Sequence, residues 1–271
     1  MAAMKLGVIG CGKMGTALVE GAIKAAAVAA ADVVGCDPHA AARDAFATST
    51  GAATAATAAE VAAVCDTILL ATKPNDIESA LKEVAAGADG QPRLILSIAA
   101  GVTLTTLRDA SPEAFRLIRV MPNTPALVGK GAAAFCRGAS ATDADAETAR
   151  TLLGAVGLAV EVPERLMDAV TGLSGSGPAY VYLMIEALAD GGVKAGLARA
   201  DAVKIAAQTV LGAAAMVLET GLHPAVLKDM VTSPGGTTIA GLAELERHGV
   251  RAALIDAVST ATRRATELGQ G

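Results

Sequence analysis

The 271-residue chain reads as an α/β fold: an N-terminal doubly wound parallel sheet over residues 1–165, followed by an all-α domain over residues 166–271. Three observations predict it. Near the start, a short apolar run leads through a glycine turn into a helical pattern. Strand-like and helix-like segments then alternate as far as Val162, the mark of repeated βα units on a parallel sheet. Beyond Val162 the strand signals stop and helical periodicity takes over.

The first strand, Lys5 to Gly10, runs into Gly10-Cys11-Gly12-Lys13-Met14-Gly15, with a helix expected from Thr16 to about Ala27. This is G-x-G-x-x-G between a strand and a helix start. The first glycine makes the turn, the second lets a pyrophosphate touch backbone, and the third packs helix on strand. The sheet is therefore of the Rossmann type, with Gly10, Gly12, Lys13, Met14 and Gly15 as cofactor-binding candidates. A second strand, Val33 to Cys36, ends at Asp37. An acid there accepts from an adenosine ribose 2′-OH and repels a 2′-phosphate, but a loop Asp capping the next helix is the competing reading, and Arg43 could still meet a phosphate. The choice between NAD(H) and NADP(H) stays open.

A helix from about Ala40 precedes a strand at Thr67 to Ala71 and the turn Thr72-Lys73-Pro74. A helix at Ile77 to Ala86 leads to a strand at Leu94 to Ile98, which ends in Ala99-Ala100-Gly101. A helix at about Leu104 to Ser111 precedes a strand at Phe115 to Val120, ending in Met121-Pro122-Asn123. Further strands are expected at Ala132 to Cys136 and Leu158 to Val162, around a helix that Thr142 caps with Asp145 in a capping box. Ligands of such sheets sit beyond the carboxyl ends of the strands. The turns at Thr72-Lys73-Pro74, Ala100 and Pro122-Asn123 all fall there.

In the second half, Ser176 is placed to cap a long helix with Pro178 in its first turn, and Val181, Met184 and Leu188 form an apolar stripe read as core. The helix from about Ala200 to Glu219 is apolar nearly all round. Such a helix in a small domain needs more cover than its own chain supplies, which argues for a homodimer. A short helix, Ala225 to Val231, then leads into Ser233-Pro234-Gly235-Gly236-Thr237-Thr238 and further helices to Glu246 and from Val250 to Leu268. A helix opened by a glycine turn offers unpaired N–H groups and a positive dipole end, and two Thr hydroxyls add donors. That end suits a small carboxylate.

Composition narrows the function. Net charge is −5, with no block of Lys or Arg, so no nucleic-acid partner is expected. Mean hydropathy is +0.49, yet the run Ile205 to Leu218 is broken by Gln208 and is shorter than a bilayer span. No signal-peptide pattern opens the chain, so no membrane association and a cytoplasmic location are expected. Cys11, Cys36, Cys65 and Cys136 sit in or beside strands as buried, reduced thiols, and His39, His223 and His248 are scattered. No metal site is expected.

Together VIGCGKMG, ATKP, SIAAG, RVMPNTP, LSGSGPAY and VTSPGGTT resemble the delta-1-pyrroline-5-carboxylate reductase family from Lys5 to Leu268. The resemblance implies reduction of the cyclic imine of 1-pyrroline-5-carboxylate to L-proline, the last step of proline biosynthesis, with NADP(H) or NAD(H). It implies a helical dimerisation domain, an active site where one subunit's Rossmann domain meets its partner's helical domain, and in some members a pentamer of dimers. Ser233, Gly235, Gly236, Thr237 and Thr238 would hold the substrate, with Thr238 catalytic beside the ring nitrogen. Ala100 and Pro122 would wall the nicotinamide pocket, and Thr72, Lys73 and Pro74 would touch cofactor. Two positions depart from the pattern: Asp37 replaces a Ser, Thr or Asn, and Ala58 replaces an Asn. Two other readings share the glycine loop. A beta-hydroxyacid dehydrogenase would carry a Lys near Val181, one turn after a glycine turn, and a non-catalytic NAD(P)-binding sensor would not need the SPGGTT segment.

Overall fold

The computed structural model describes residues 4–269. Eight strands are present: β1 (Leu6–Ile9), β2 (Val33–Cys36), β3 (Ala53–Ala55), β4 (Thr67–Leu70), β5 (Leu94–Ser97), β6 (Arg116–Met121), β7 (Gly131–Arg137) and β8 (Gly157–Glu161). They form one sheet in the order β3-β2-β1-β4-β5-β6-β7-β8, parallel throughout except between β6 and β7. The order reverses direction at β1, the switch point beside which dinucleotides bind in doubly wound sheets. The helices of this half are α1 (Lys13–Lys24), α2 (Ala40–Thr50), α3 (Ala58–Val64), α4 (Ile77–Ala88), α5 (Leu104–Asp109) and α6 (Asp143–Gly154).

The central strands are apolar runs because both faces are covered. LGVI of β1 and TILL of β4 are buried at every position, as is LILS of β5. All three phenylalanines, Phe46, Phe115 and Phe135, are fully buried. Hydrogen bonds just past the strands keep their carboxyl ends level: Gly10 N donates to Cys36 O (2.7 Å), Ala71 N to Ile9 O (2.7 Å) and Ile98 N to Leu70 O (3.0 Å).

Short β3 and α3 were not foreseen between the helix at Ala40 and the strand at Thr67. The run from Gly51 to Val64 is rich in Ala and Thr and shows no alternation. Its structure comes from pairing of β3 with β2 and from Thr57, whose hydroxyl accepts from Glu60 N (3.2 Å) to cap α3.

The chain divides into two compact units, Met1–Gly175 with Ala261–Gly271, and Ser176–Thr260. The first runs past the expected boundary at 165 for a packing reason. Met167, in α7 (Met167–Val170), is buried against Ala134 and Cys136. Buried Arg119 of β6 pairs with Glu164 (3.3 Å) and Asp168 (3.5 Å), and Asp168 also accepts from Thr266 Oγ1 (2.8 Å).

The helices of the second half are α8 (Gly177–Lys194), α9 (Arg199–Thr220), α10 (Pro224–Met230), α11 (Thr237–Arg247) and α12 (Val250–Gly269), whose last turns belong to the first unit. Two expectations change here. Ser176 holds the N-cap position of α8 as expected, but its backbone is helical and its side chain makes no cap hydrogen bond, because Thr171–Gly175 already forms a π-helical turn. Asn123 Nδ2 donates to the Ser174 carbonyl in that turn (3.1 Å). The stripe on α8 is not core within the chain, since Leu188 is 55% exposed. Helices α8 and α9 meet instead through Ala189, Ala202 and Ala206. Helix α9 spans 22 residues and holds an 18-residue window with a mean hydropathy of 1.4, a property that core helices of soluble proteins share. It extends past both ends of the apolar run that looked too short.

Candidate active site

The glycine loop is shaped by backbone demands. Gly10 has φ +102°, and a Cβ there would lie 2.6 Å from the Ala71 carbonyl oxygen, so no other residue fits without strain. A Cβ on Gly15 would meet the Gly10 carbonyl oxygen at 2.6 Å, which is the close helix–strand contact its position requires. A Cβ on Gly12 would meet nothing within 4 Å. Gly12 is the N-cap of α1, makes no side-chain cap and is followed by no acid in the first turn. The loop is thus a cradle with open space at Gly12, beside the uncapped first turn of α1, which is what a pyrophosphate needs. Lys13 is exposed and Met14 half-buried beside it.

Beyond the loop lies a cavity of about 350 Å³ whose lining includes Gly10, Cys36, Pro38, Ala58 and Thr72. The Thr72 Oγ1 is buried and has no hydrogen-bond partner. A buried polar atom without a partner is uncommon, and its residue lines a cavity of small-molecule size. Lys73 and Pro74 follow at the exposed mouth. A dinucleotide fits these residues: the cradle accepts its phosphates and the cavity its adenosine.

Asp37 closes β2. Its Oδ2 accepts from Cys11 N (3.0 Å) and its Oδ1 from His39 N (2.9 Å), while Arg43 Nη1 donates to the Asp37 carbonyl (2.6 Å). Asp37 therefore braces the glycine loop from the end of β2. Burial and the nearby Asp37 push the Cys11 thiol up to about 12. Cys36 and Cys65 rise to about 11 and Cys136 to about 12, burial being the first cause each time. These thiols are neutral near pH 7 and are not nucleophiles.

Ala100 is exposed at the end of β5, next to Gly101 with φ +78°, and Pro122 is buried at the end of β6. Asn123 differs from a free contact. Its Oδ1 accepts from Ala132 N (2.8 Å) while its Nδ2 holds Ser174, so both ends of the amide are engaged. Nothing in the residue pattern signalled this brace or the Arg119 cluster, because both depend on contacts more than 40 residues apart.

In the second unit, Ser233–Thr238 forms the turn into α11. Gly236 N donates to Ser233 O (3.1 Å), Gly235 takes φ +67°, and Gly236 is the N-cap with extended backbone and no side-chain cap. A Cβ on Gly236 would meet the Ser233 hydroxyl, so Ser233 Oγ sits directly over the turn. Thr237 opens the helix, exposed, and Thr238 is half-buried one step in. No acid occupies the first turn. The structure thus brings Ser233, Gly235, Gly236, Thr237 and Thr238 together at one open, electropositive helix start. Position 181, where a hydroxyacid dehydrogenase would place its Lys, is a half-buried Val on α8.

Similarity to known proteins now bears on these two sites. Residues 164–268 match the family described as pyrroline-5-carboxylate reductase dimerisation, and residues 5–101 match NADP oxidoreductase coenzyme F420-dependent. A pyrroline-5-carboxylate reductase of Methanosarcina acetivorans is 47% identical over 266 residues, covering 98% of each chain. The chain belongs to the pyrroline-5-carboxylate reductase family. Among solved reductases of this family, that of Coxiella burnetii superposes with a TM-score of 0.93 at 33% identity, covering 98% of each chain. A Plasmodium falciparum pyrroline carboxylate reductase with NADP bound gives 0.86 at 32% identity over 99% of each chain.

Proposed function

We propose that this chain reduces the C=N bond of 1-pyrroline-5-carboxylate to give L-proline, using NAD(P)H, as a homodimer in the cytoplasm. The observation that carries the reading is the uncapped start of α11. A helix whose first N–H groups are open, whose first turn holds no acid and whose Thr pair supplies hydroxyls is built to take a small carboxylate. Relatives that are more than 40% identical over nearly the whole chain and carry that activity in their names support it.

Substrate binding falls to Ser233, Gly235, Gly236, Thr237 and Thr238. The helix start neutralises the carboxylate and fixes the ring, so positioning is the main contribution to rate. When bound, NAD(P)H supplies the hydride. Thr238 holds the ring nitrogen through its hydroxyl, donating to it as it becomes an amine. A protonated imine is already electrophilic, so no strong general acid is required at carbon. Gly10, Gly12, Lys13, Met14, Gly15, Thr72, Lys73 and Pro74 hold the cofactor, Ala100 and Pro122 line its nicotinamide end, and Asn123 positions that wall from behind.

The homodimer is supported by exposed apolar side chains on α9, among them Ile205 (55%), Leu211 (53%) and Leu218 (76%). A second copy covering that face would account for a helix apolar enough for a membrane. The assay is direct: purified protein, 1-pyrroline-5-carboxylate and NADPH or NADH. Substrate-dependent loss of reduced nucleotide, with matching proline, at roughly 1 per second or faster supports the reading. Nucleotide binding without turnover would favour a sensor instead.

A further inference from the structure

We infer that this chain selects NAD(H) over NADP(H), and that Glu83, a residue the sequence did not single out, makes the selection together with Asp37. The inference rests on the glycine loop and its cavity being the cofactor site. Asp37 is fixed, not mobile: Cys11 N, in the glycine loop itself, donates to Oδ2, and His39 N and Nδ1 both lie on Oδ1, at 2.9 and 3.1 Å. Its side chain is 14% exposed, so it cannot swing aside to admit a phosphate. Oδ2 retains acceptor capacity for a ribose hydroxyl.

Glu83 stands on α4, and its Oε2 accepts from Ala58 N at the start of α3 (3.2 Å). That bond holds the carboxylate in the cavity wall, where Asp76 adds a second acid. The lining contains no Lys or Arg. It does contain Thr72, whose buried hydroxyl has no hydrogen-bond partner among the described residues. The nearby cation, Arg43, directs Nη1 at the carbonyls of Asp37 (2.6 Å) and Pro38 (3.4 Å). A ribose hydroxyl meets an acceptor here. A 2′-phosphate, with close to two negative charges at neutral pH, meets like charge on two sides.

The test is calorimetric titration of the full-length protein with NAD⁺ and NADP⁺ in the absence of substrate, so that binding is read without turnover. NAD⁺ is expected to bind roughly tenfold tighter or more. Asp37→Ser and Glu83→Gln should each narrow the ratio by several-fold. Glu83→Gln keeps a carbonyl oxygen for Ala58 N and should melt with the wild type, so it remains informative if Asp37→Ser loosens the glycine loop. Equal or tighter binding of NADP⁺ by the wild type overturns the inference, and an unchanged ratio in Glu83→Gln overturns the part given to Glu83. Binding of neither nucleotide defeats the cofactor reading and the inference with it. Discrimination without turnover of 1-pyrroline-5-carboxylate would uphold the inference while removing the reductase activity.

Discussion

At the scale of single residues, Gly12 separates fold from function. Gly12→Ala adds a methyl group where nothing lies within 4 Å, so stability should hold within about 0.5 kcal/mol. Cofactor affinity should fall by tenfold or so, because the methyl occupies the cradle; a titration beside a thermal melt reads both. Thr238→Ala should lower kcat/KM by roughly 10- to 100-fold with cofactor Kd unchanged. A parallel loss of cofactor affinity would contradict its placement at the substrate. The residue types at both sites were legible because they are short, local and backbone-driven: a glycine turn followed by a helix start. Asp37 was legible only as a position. Its bonds to Cys11 N and His39 N make it a brace for the glycine loop, a role that no spacing rule distinguishes from contact with a ribose.

Among elements, the strands and helices that own their signals were readable. The strand at Val33–Cys36 and the capping box on α6 appear as expected, with Asp145 N donating to Thr142 Oγ1 (3.2 Å) and Thr142 N to Asp145 Oδ2 (2.8 Å). Elements that borrow their stability were not: β3 exists through its partner strand, and the π-helical turn at Thr171–Gly175 is held by Asn123. The cap on α6 also carries a pH dependence. Burial opposes the charge of Asp145, but hydrogen bonds from Arg116 and Thr142 outweigh it and hold the carboxyl below its usual range. A lowered pKa in the folded state stabilises above the unfolded value of about 3.9, and that contribution is lost as pH falls through the folded value. Asp145→Asn should therefore lower Tm at pH 7, by the equivalent of about 2 kcal/mol. The gap from wild type should close as the melts are repeated toward pH 3, and a constant gap would show that the charge is not involved.

For the whole molecule, the sequence indicated the two-part plan and the need for extra cover on α9. It could not show that the first unit continues to Gly175 or takes in the end of α12. Those contacts, Arg119 with Glu164 and Asp168, and Asp168 with Thr266, join residues far apart in the chain. The exposed apolar side chains of α9 predict a dimer by analytical ultracentrifugation. Ile205→Glu should shift the protein toward monomer and lower activity by tenfold or more, since a buried unpaired charge at an interface costs several kcal/mol. Co-sedimentation with lipid vesicles instead of dimerisation would give α9 a different role. The central claim is that the start of α11 holds the substrate's carboxylate for reduction at the ring. A crystal structure of the complex with oxidised cofactor and L-proline tests it most directly. The account predicts the proline carboxylate on the backbone N–H groups of the Gly236–Thr238 turn, with the ring nitrogen at the Thr238 hydroxyl and the ring against the nicotinamide. Proline bound elsewhere, with that turn empty in the same complex, would contradict it.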